Sequence, residues 1–289
     1  MHQVSVSVPA TLNSPMTRPL SRAAAKTVER LDLEQPLLVT LADLRNLMDD
    51  LDGRSGPKLI AKRLRHHGWL LPTALPGVWE FAPGAQAGPY PRGHPFREVI
   101  AAHRAHPELD HAVGLTSALW AHALTDRSPH RPEVAVPPGA RVPTGRTRAC
   151  RIVRCEADLQ PVTLRDVPVH ALATILVHLA TRPTDVRSWG GVLDVLPELV
   201  SAVAQAAPNS GLDALERELH DRPAAVRTRL ACLLHGVAPR WAETLTAPSH
   251  GNVWFGPRAP LRRHNAALEV ADTIAPMPPG DLPPSQGLD

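Results

Sequence analysis

The sequence predicts an α+β protein in which an N-terminal winged helix-turn-helix domain precedes a larger mixed α/β domain. Within residues 21–81, three segments of helical periodicity are followed by two short apolar, strand-like segments, an order typical of a winged helix. Beyond residue 93, short strand-like segments are set between helical segments, which indicates a sheet covered by helices. A chain of 289 residues is long enough for two such domains.

The first two helices follow from apolar spacing and a capping signal. Residues 21–31 are Ala-rich, and their apolar side chains recur at helical spacing, which predicts the first helix. Thr40 precedes a second periodic segment, and Asp43 stands at its third position. A Thr followed three residues later by an acid resembles a capping box, so a second helix is predicted over 41–50.

The third helix and a hairpin are marked by Pro and Gly. Pro57 tolerates the first helical turn, where its missing N–H costs nothing, and Gly68 suits the end of the helix. Residues 69–71 and 78–81 are short apolar segments separated by a loop with Pro and Gly, so two strands are predicted. Their two tryptophans are interpreted as hairpin core rather than as base-stacking groups.

The rest of the chain alternates between the two patterns. The helices predicted there span 95–106, 115–124, 169–181, 192–206, 212–220 and 224–234. The strands predicted there span 133–136, 150–156 and 162–167. Alternation without a fixed-period repeat is typical of an α+β domain.

The domain limits follow from composition. The Gly- and Pro-rich segment 84–93 is predicted to connect the two domains. The winged helix is accordingly assigned to residues 20–86 and the second domain to residues 94–274. Residues 1–19 and 275–289 have the composition of a disordered leader and a disordered tail.

Composition and charge limit the classes of function. The longest apolar run is far shorter than the ~20 residues needed to cross a bilayer, so no membrane partner is predicted. The three cysteines do not form a disulfide framework, and Cys150 and Cys155 should face opposite sides of a strand. These features predict a cytoplasmic protein. Because the net charge is only +3, any affinity for nucleic acid must come from a local patch.

The third helix provides such a patch. Residues 54–67 contain five Lys or Arg side chains and no acid, whereas a solvated helix usually mixes charge signs and gains favourable pairs. On a helical wheel, the apolar stripe predicted to face the core consists of Leu59, Ile60 and Leu64. The face predicted to be positive consists of Lys58, Lys62 and Arg65.

The position of this helix predicts contact with DNA. As the third helix of the motif, it corresponds to a recognition helix that enters the major groove. Arg can bind guanine through two hydrogen bonds, and Lys acts more as a point charge on phosphate or base. The alternative is a basic, solvent-facing helix in an Arg-rich protein. The residues predicted to bind DNA are Lys58, Lys62 and Arg65, with Arg54, Arg63 and His66 beside them.

A second basic stretch lies in the predicted second domain. Residues 134–155 contain no acid. Their arginines are Arg141, Arg146, Arg148, Arg151 and Arg154. A charged edge strand that discourages aggregation and a second contact to phosphate or RNA are equally consistent with this pattern.

The sequence contains no catalytic signature. Ser117 and His122 are five residues apart on a predicted helix, on different faces, and no Gly-x-Ser-x-Gly elbow surrounds the serine. The histidines are scattered, without the spacing of a metal motif. We therefore predict no catalytic residue, no metal site and no cofactor. The alternative is a nuclease-like, nucleic-acid-processing enzyme with a winged helix, although no lysine follows Lys62 to serve a restriction-type site.

Three segments resemble a known family. They are GWLLPTALPGVWEFAPG (68–84), GLTSALWAHALTDR (114–127) and ALATILVHLATRPTDVRSWGGVLDVLPELV (171–200). Together with the arginine- and proline-rich region between them, they resemble the AbiEi-type antitoxins of AbiE-like toxin–antitoxin systems. The resemblance extends over roughly residues 20–270, and it depends on the order of the segments.

The resemblance implies a non-enzymatic, DNA-binding autorepressor. Such a protein binds inverted repeats in double-stranded DNA upstream of its own operon. Its C-terminal antitoxin domain counteracts a nucleotidyltransferase-like toxin, with or without direct contact. The positions that match the positive N-terminal face are Lys58, Lys62 and Arg65.

Overall fold

The computed structural model describes residues 20–49, 56–84, 93–107, 110–142, 149–206, 211–246 and 252–274. These residues form a mixed α+β fold with three small sheets, distributed over two compact units. The first unit lies within residues 1–72 and 77–92, and the second within residues 73–76 and 93–289. The predicted leader 1–19 and tail 275–289 fall outside the described residues.

The described part of the first unit contains three helices and one three-stranded sheet. Its elements are α1 (Arg22–Glu34), β1 (Leu38–Thr40), α2 (Leu41–Asp49), α3 (Pro57–His66), β2 (Leu70–Pro72) and β3 (Val78–Phe81). Strand β3 pairs antiparallel with both β1 and β2. The predicted order of three helices and a hairpin is present, whereas strand β1 was not predicted. This arrangement is consistent with a winged helix-turn-helix.

The core of the first unit receives side chains from every helix and from the sheet. Its buried members are Ala24, Val28, Leu31, Val39, Leu44, Met48, Ile60, Ala61, Leu64, Leu70 and Phe81. Trp69 and Trp79 pack against this cluster, and the Trp69 ring stacks on Phe81 with centroids 6.4 Å apart. The interpretation of both tryptophans as hairpin core is confirmed.

The starts of α1 and α2 are fixed by side-chain caps. Ser21 Oγ accepts from the Ala24 N–H at 3.4 Å. The Asp43 N–H donates to Thr40 Oγ1 at 3.1 Å, and the Thr40 N–H donates to Asp43 Oδ2 at 2.8 Å. This reciprocal pair satisfies two N–H groups that no helical carbonyl can reach. The predicted capping box is confirmed.

The second unit contains the remaining elements. They are α4 (Arg97–Ala105), β4 (Ala112–Val113), α5 (Leu115–Ala121), β5 (Glu133–Val136), β6 (Arg151–Arg154), β7 (Val162–Leu164), β8 (Val167–Val169), α6 (Leu172–Thr181), a short 3-10 helix (Pro183–Asp185), α7 (Trp189–Asp194), α8 (Leu196–Gln205), α9 (Gly211–Glu218), α10 (Ala224–Leu234), α11 (Pro239–Leu245), β9 (Val253–Phe255), β10 (Arg263–Asn265) and β11 (Val270–Asp272). A five-stranded sheet has the order β6-β5-β4-β8-β7, so β6 and β7 are its edges.

Two predicted elements are each divided in the structure. The segment predicted as one strand, 162–167, contributes to both β7 and β8, because Arg165 and Asp166 take positive φ angles of 49° and 64° and turn the chain. The segment predicted as one helix, 192–206, is divided between α7 and α8. Pro197 lies in the first turn of α8, where its missing N–H cannot continue the hydrogen-bond ladder of α7.

Helix α6 is the centre of the second unit. Its residues from Ala173 to Ala180 are all buried. It contacts α5, α8, α9, α10 and the 3-10 helix. An apolar helix surrounded in this way needs no polar face, which explains why its sequence shows little amphipathic pattern. No helix in the described ranges has both the length and the apolar character to span a membrane.

Helix α11 and a third sheet were not predicted. Strand β11 pairs parallel with β9 and antiparallel with β10. Each of these strands has three residues, so none presents a periodic pattern long enough to identify. At Gly256, where φ is 116°, an added Cβ would lie 2.5 Å from Thr273 Oγ1, so the close approach after β9 requires glycine.

The capping box predicts a measurable loss of stability. Thr40→Ala removes the Oγ1 that accepts from the Asp43 N–H, so the free energy of unfolding should fall by about 1 kcal/mol. Denaturant titration followed by circular dichroism measures the change. Asn46→Ala, at an exposed position of the same helix, is the control and should change stability by less than about 0.5 kcal/mol. Equal losses in the two variants would contradict a specific role for the cap.

Candidate functional site

The exposed face of α3 is positively charged. Lys58, Lys62, Arg65 and His66 are all exposed. Gly56 precedes the helix without a side-chain cap, and its first turn contains no acid. Within the described ranges, no ion pair involves the two lysines or Arg65. Three neighbouring cations thus face solvent without a compensating carboxylate, and such a surface favours a polyanionic ligand.

The rotation of α3 differs from the predicted one. Its buried residues are Ile60, Ala61 and Leu64. Leu59, which was predicted to face the core, is 43% exposed, so that prediction was wrong. Consecutive helical residues are about 100° apart, and the buried arc extends from Ile60 towards Ala61 instead of towards Leu59. Leu59 therefore lies on the same side of the helix as the cations.

Arg63 is held by α1, and Arg54 is not described. The Arg63 guanidinium donates to Ser21 Oγ at 3.0 Å, and Ser21 is the N-cap of α1. Arg63 is also less exposed than the three cations of the exposed face. Its first role is therefore to join α3 to the start of α1. Arg54, predicted beside the positive face, falls outside the described residues.

A groove follows the exposed side of α3. Its volume is about 550 Å³, and its lining includes Leu20, Leu59, Lys62 and His66. Two apolar side chains thus share the groove with the cations Lys62 and Arg63. This combination suits a ligand with both negative charge and apolar surface, as the edges of a DNA groove have.

Two arginines of the second basic stretch make contacts inside the second unit. Arg151 Nη1 donates to Glu133 Oε1 at 2.8 Å. Arg154 Nη1 donates to the carbonyl oxygens of Pro137 and Ala140 at 3.0 and 2.7 Å. Both side chains are partly buried. Arg154 binds the segment that directly follows β5, and Arg151 binds the carboxylate of Glu133. Both side chains therefore use hydrogen-bond donors within the protein.

The other arginines of this stretch are placed differently. Arg141 is exposed and lies outside β6, whereas Arg146 and Arg148 fall outside the described residues. Strand β6 is an edge of the five-stranded sheet, as the charged-edge alternative requires. A second contact to phosphate or RNA stays a prediction, and Arg141 is its most accessible described member.

Ser117 belongs to a buried hydrogen-bond network. Its Oγ accepts from the Glu133 N–H at 2.9 Å, and its own N–H donates to Glu133 Oε2 at 3.2 Å. His122 Nε2 lies 2.9 Å from the carbonyl oxygen of His170. Burial lowers the pKa of His122, and this hydrogen bond opposes the shift. The two side chains have different partners, so the geometry does not form a Ser–His nucleophile pair.

A cluster that the sequence did not indicate lies beside α6. Cys155 follows β6, His170 follows β8, and His178 belongs to α6. One potential ligand atom from each residue lies within 4.8 Å of the other two. The residues are separated along the chain and belong to different elements, so no sequence spacing could identify them. This cluster is referred to below as the Cys–His cluster.

The comparison with protein families identifies part of the chain. Residues 111–236 match the family model of the AbiEi antitoxin C-terminal domain. The predicted family resemblance is confirmed for this segment. The AbiEi match includes the five-stranded sheet, helix α6 and the Cys–His cluster, and it supports an antitoxin role with a cognate toxin as partner. It does not include α3 or the hairpin.

The fold extends beyond the AbiEi segment. The chain is similar to the crystal structure of the RV2827C protein from Mycobacterium tuberculosis, with a TM-score of 0.71 and 22% sequence identity. The similarity covers 88% of this chain and 92% of that chain. At this identity the likeness establishes a shared fold over both units. No curated protein shows significant sequence similarity to the chain.

The network around Glu133 predicts that Arg151 is needed for stability. Glu133 is 5% exposed, and Arg151→Ala removes the cation that neutralises it. The free energy of unfolding should fall by about 2 to 3 kcal/mol, because a buried carboxylate loses its charged partner. Denaturant titration measures the loss. Arg141→Ala, at an exposed position, is the control and should leave stability within about 0.5 kcal/mol. A stable Arg151→Ala protein would show that the pair is dispensable.

Proposed function

We propose that the protein is an antitoxin and a DNA-binding autorepressor of a toxin–antitoxin operon, without catalytic activity of its own. The observation that carries the DNA-binding part is the exposed, acid-free face of α3 with Lys58, Lys62 and Arg65. The antitoxin part is supported by the family match over residues 111–236.

In the proposed complex, the first unit acts as a winged helix-turn-helix. Helix α3 enters the major groove of double-stranded DNA, and the hairpin of β2 and β3 follows the phosphate backbone. Lys58, Lys62 and Arg65 neutralise phosphates or contact bases, with His66 beside them and Arg63 mainly holding the helix in place. A single winged helix covers a short site, so inverted repeats upstream of the operon would take two copies of the chain.

In the proposed antitoxin role, the second unit counteracts a nucleotidyltransferase-like toxin. Repression and antitoxin activity should be separable, because they depend on different units of the chain. The test is co-expression with the protein encoded by the neighbouring gene, together with a reporter under the upstream DNA. We expect the Lys58→Ala/Lys62→Ala/Arg65→Ala variant to restore growth like the wild type while losing repression. Failure of the wild type to restore growth would contradict the antitoxin role.

The positive face predicts a specific change in the salt dependence of DNA binding. In the same triple variant, the slope of log affinity against log salt should become shallower by about two to three units, because each lost phosphate contact removes roughly one. The measurement is a salt titration on the upstream DNA, with random DNA alongside.

A matched variant controls for net charge. Arg22→Ala/Lys26→Ala/Arg104→Ala also removes three exposed cations, but none of them lies on α3. We expect its salt slope to stay within about one unit of the wild type. Equal slopes for the two triple variants would contradict a role for α3 as the DNA-contacting helix.

The rotation of α3 predicts a separate role for Leu59. Its exposed side chain among the cations is suited to contact a thymine methyl group, which is a base-specific interaction. Leu59→Ala should therefore reduce the ratio of specific to random DNA affinity by about fivefold and leave the salt slope unchanged. Because the side chain is 43% exposed, stability should change little. An unchanged affinity ratio in the salt titration would contradict base contact by Leu59.

A further inference from the structure

The Cys–His cluster brings together side chains that commonly bind metal ions. Thiolate sulfur and imidazole nitrogen are the preferred ligands of zinc. One such atom from each of Cys155, His170 and His178 lies within 4.8 Å of the other two. Ligands on one zinc ion are separated by about 3.3 to 3.8 Å, as bond lengths of about 2.0 to 2.3 Å require. The limit of 4.8 Å exceeds this separation by about 1 Å, so the side chains must move together by that amount when the ion binds.

The histidines of the cluster are buried without the partners that buried polar groups normally have. The His178 side chain is completely buried, its Nδ1 has no hydrogen-bond partner among the described residues, and the Asp185 carboxylate lies beyond hydrogen-bond distance of its Nε2, at 3.7 Å. His170 is 4% exposed, and its Nδ1 also has no hydrogen-bond partner among the described residues. Buried polar atoms are almost always satisfied, so several histidine nitrogens without a protein partner at one place are typical of a ligand-binding site.

Two carboxylates lie close to the cluster along the chain or in space. Glu218 accepts from the Leu159 N–H at 2.9 Å and from Thr174 Oγ1, so it ties the segment after Cys155 to helix α6. Asp185 Oδ2 lies 3.7 Å from His178 Nε2. A carboxylate beside a ligating histidine typically orients the ring. The cluster therefore has one carboxylate, Asp185, close to a histidine in the way that is common around metal sites.

A metal ion bound here would displace the proton of the Cys155 thiol, as zinc does with coordinating thiols.

We propose that Cys155, His170 and His178 form a binding site for a zinc-class divalent metal ion. The fourth ligand position would face a cavity of about 370 Å³, which Cys155 and His170 line, and would hold water. The ion would link the end of edge strand β6 to β8 and to the central helix α6. The site stabilises the second unit and is independent of the DNA-binding role proposed for α3.

Cobalt substitution tests the proposal directly. The 289-residue chain, treated with chelator and titrated with Co²⁺, should bind one equivalent and develop the near-ultraviolet absorption of a cobalt–thiolate bond. Zn²⁺ should displace the cobalt and raise the Tm of the wild type. In Cys155→Ser the thiolate absorption should disappear and metal affinity should fall by at least about tenfold. His178→Gln should weaken binding to a similar extent.

Another buried cysteine provides the control. Cys232 is a free thiol outside the cluster, and Cys232→Ser should keep the cobalt–thiolate absorption. Circular dichroism on each metal-free variant verifies folding, and the wild-type titration does not depend on any variant. Absence of the thiolate absorption in the wild type would overturn the proposal. So would its persistence in Cys155→Ser, its loss in Cys232→Ser, or unchanged metal affinity in His178→Gln.

Discussion

The apolar arc of helix α3 determines what the first unit presents to solvent. Burial of Ile60, Ala61 and Leu64 against the core fixes the rotation of the helix. With that rotation, Lys58, Lys62 and Arg65 must lie outside, and so must Leu59. The hydrophobic effect that stabilises the unit thereby positions its charges. A helix whose exposed cations have no neighbouring carboxylate among the described residues is suited to bind a polyanion. The proposed DNA-binding role depends on this surface.

The second unit is organised by buried polar groups around an apolar helix. Glu133 connects α5 to β5 and β6 through Ser117 and Arg151, and Glu218 connects α6 to the segment after β6. Each carboxylate has several donors, as a buried acid requires. The Cys–His cluster differs, because Nδ1 of both His170 and His178 is buried without a hydrogen-bond donor or acceptor among the described residues. This contrast with the two carboxylates favours a metal site over further structural hydrogen bonding.

Local signals in the sequence predicted local structure well. The capping box of Thr40 and Asp43 was predictable because both partners belong to one helical turn. The rotation of α3 was not predictable, because Leu59 and Ala61 are both apolar and both flank Ile60, so the apolar pattern alone does not decide which of them is buried. The divided strand at Arg165 was missed because a non-glycine residue with positive φ leaves no compositional mark.

Contacts between distant elements could not be predicted from the sequence. Arg151 was interpreted as one member of a basic stretch, but its partner Glu133 is on a neighbouring strand. The Cys–His cluster depends on a strand order that no spacing encodes, because β6 and β8 are separated by two other strands in the sheet. In the candidate site, therefore, the sequence predicted which residues carry charge, and the fold determines which of them face solvent.

Lysine labelling tests the central claim most directly, since the chain has only three lysines and all are exposed. Acetylation of the full chain, with and without the upstream DNA duplex, would be followed at Lys26, Lys58 and Lys62 by mass spectrometry. DNA should protect the two lysines of α3, while Lys26 on α1 is labelled equally in both samples. Equal labelling of Lys58 and Lys62 while the duplex is bound would contradict the proposed interface.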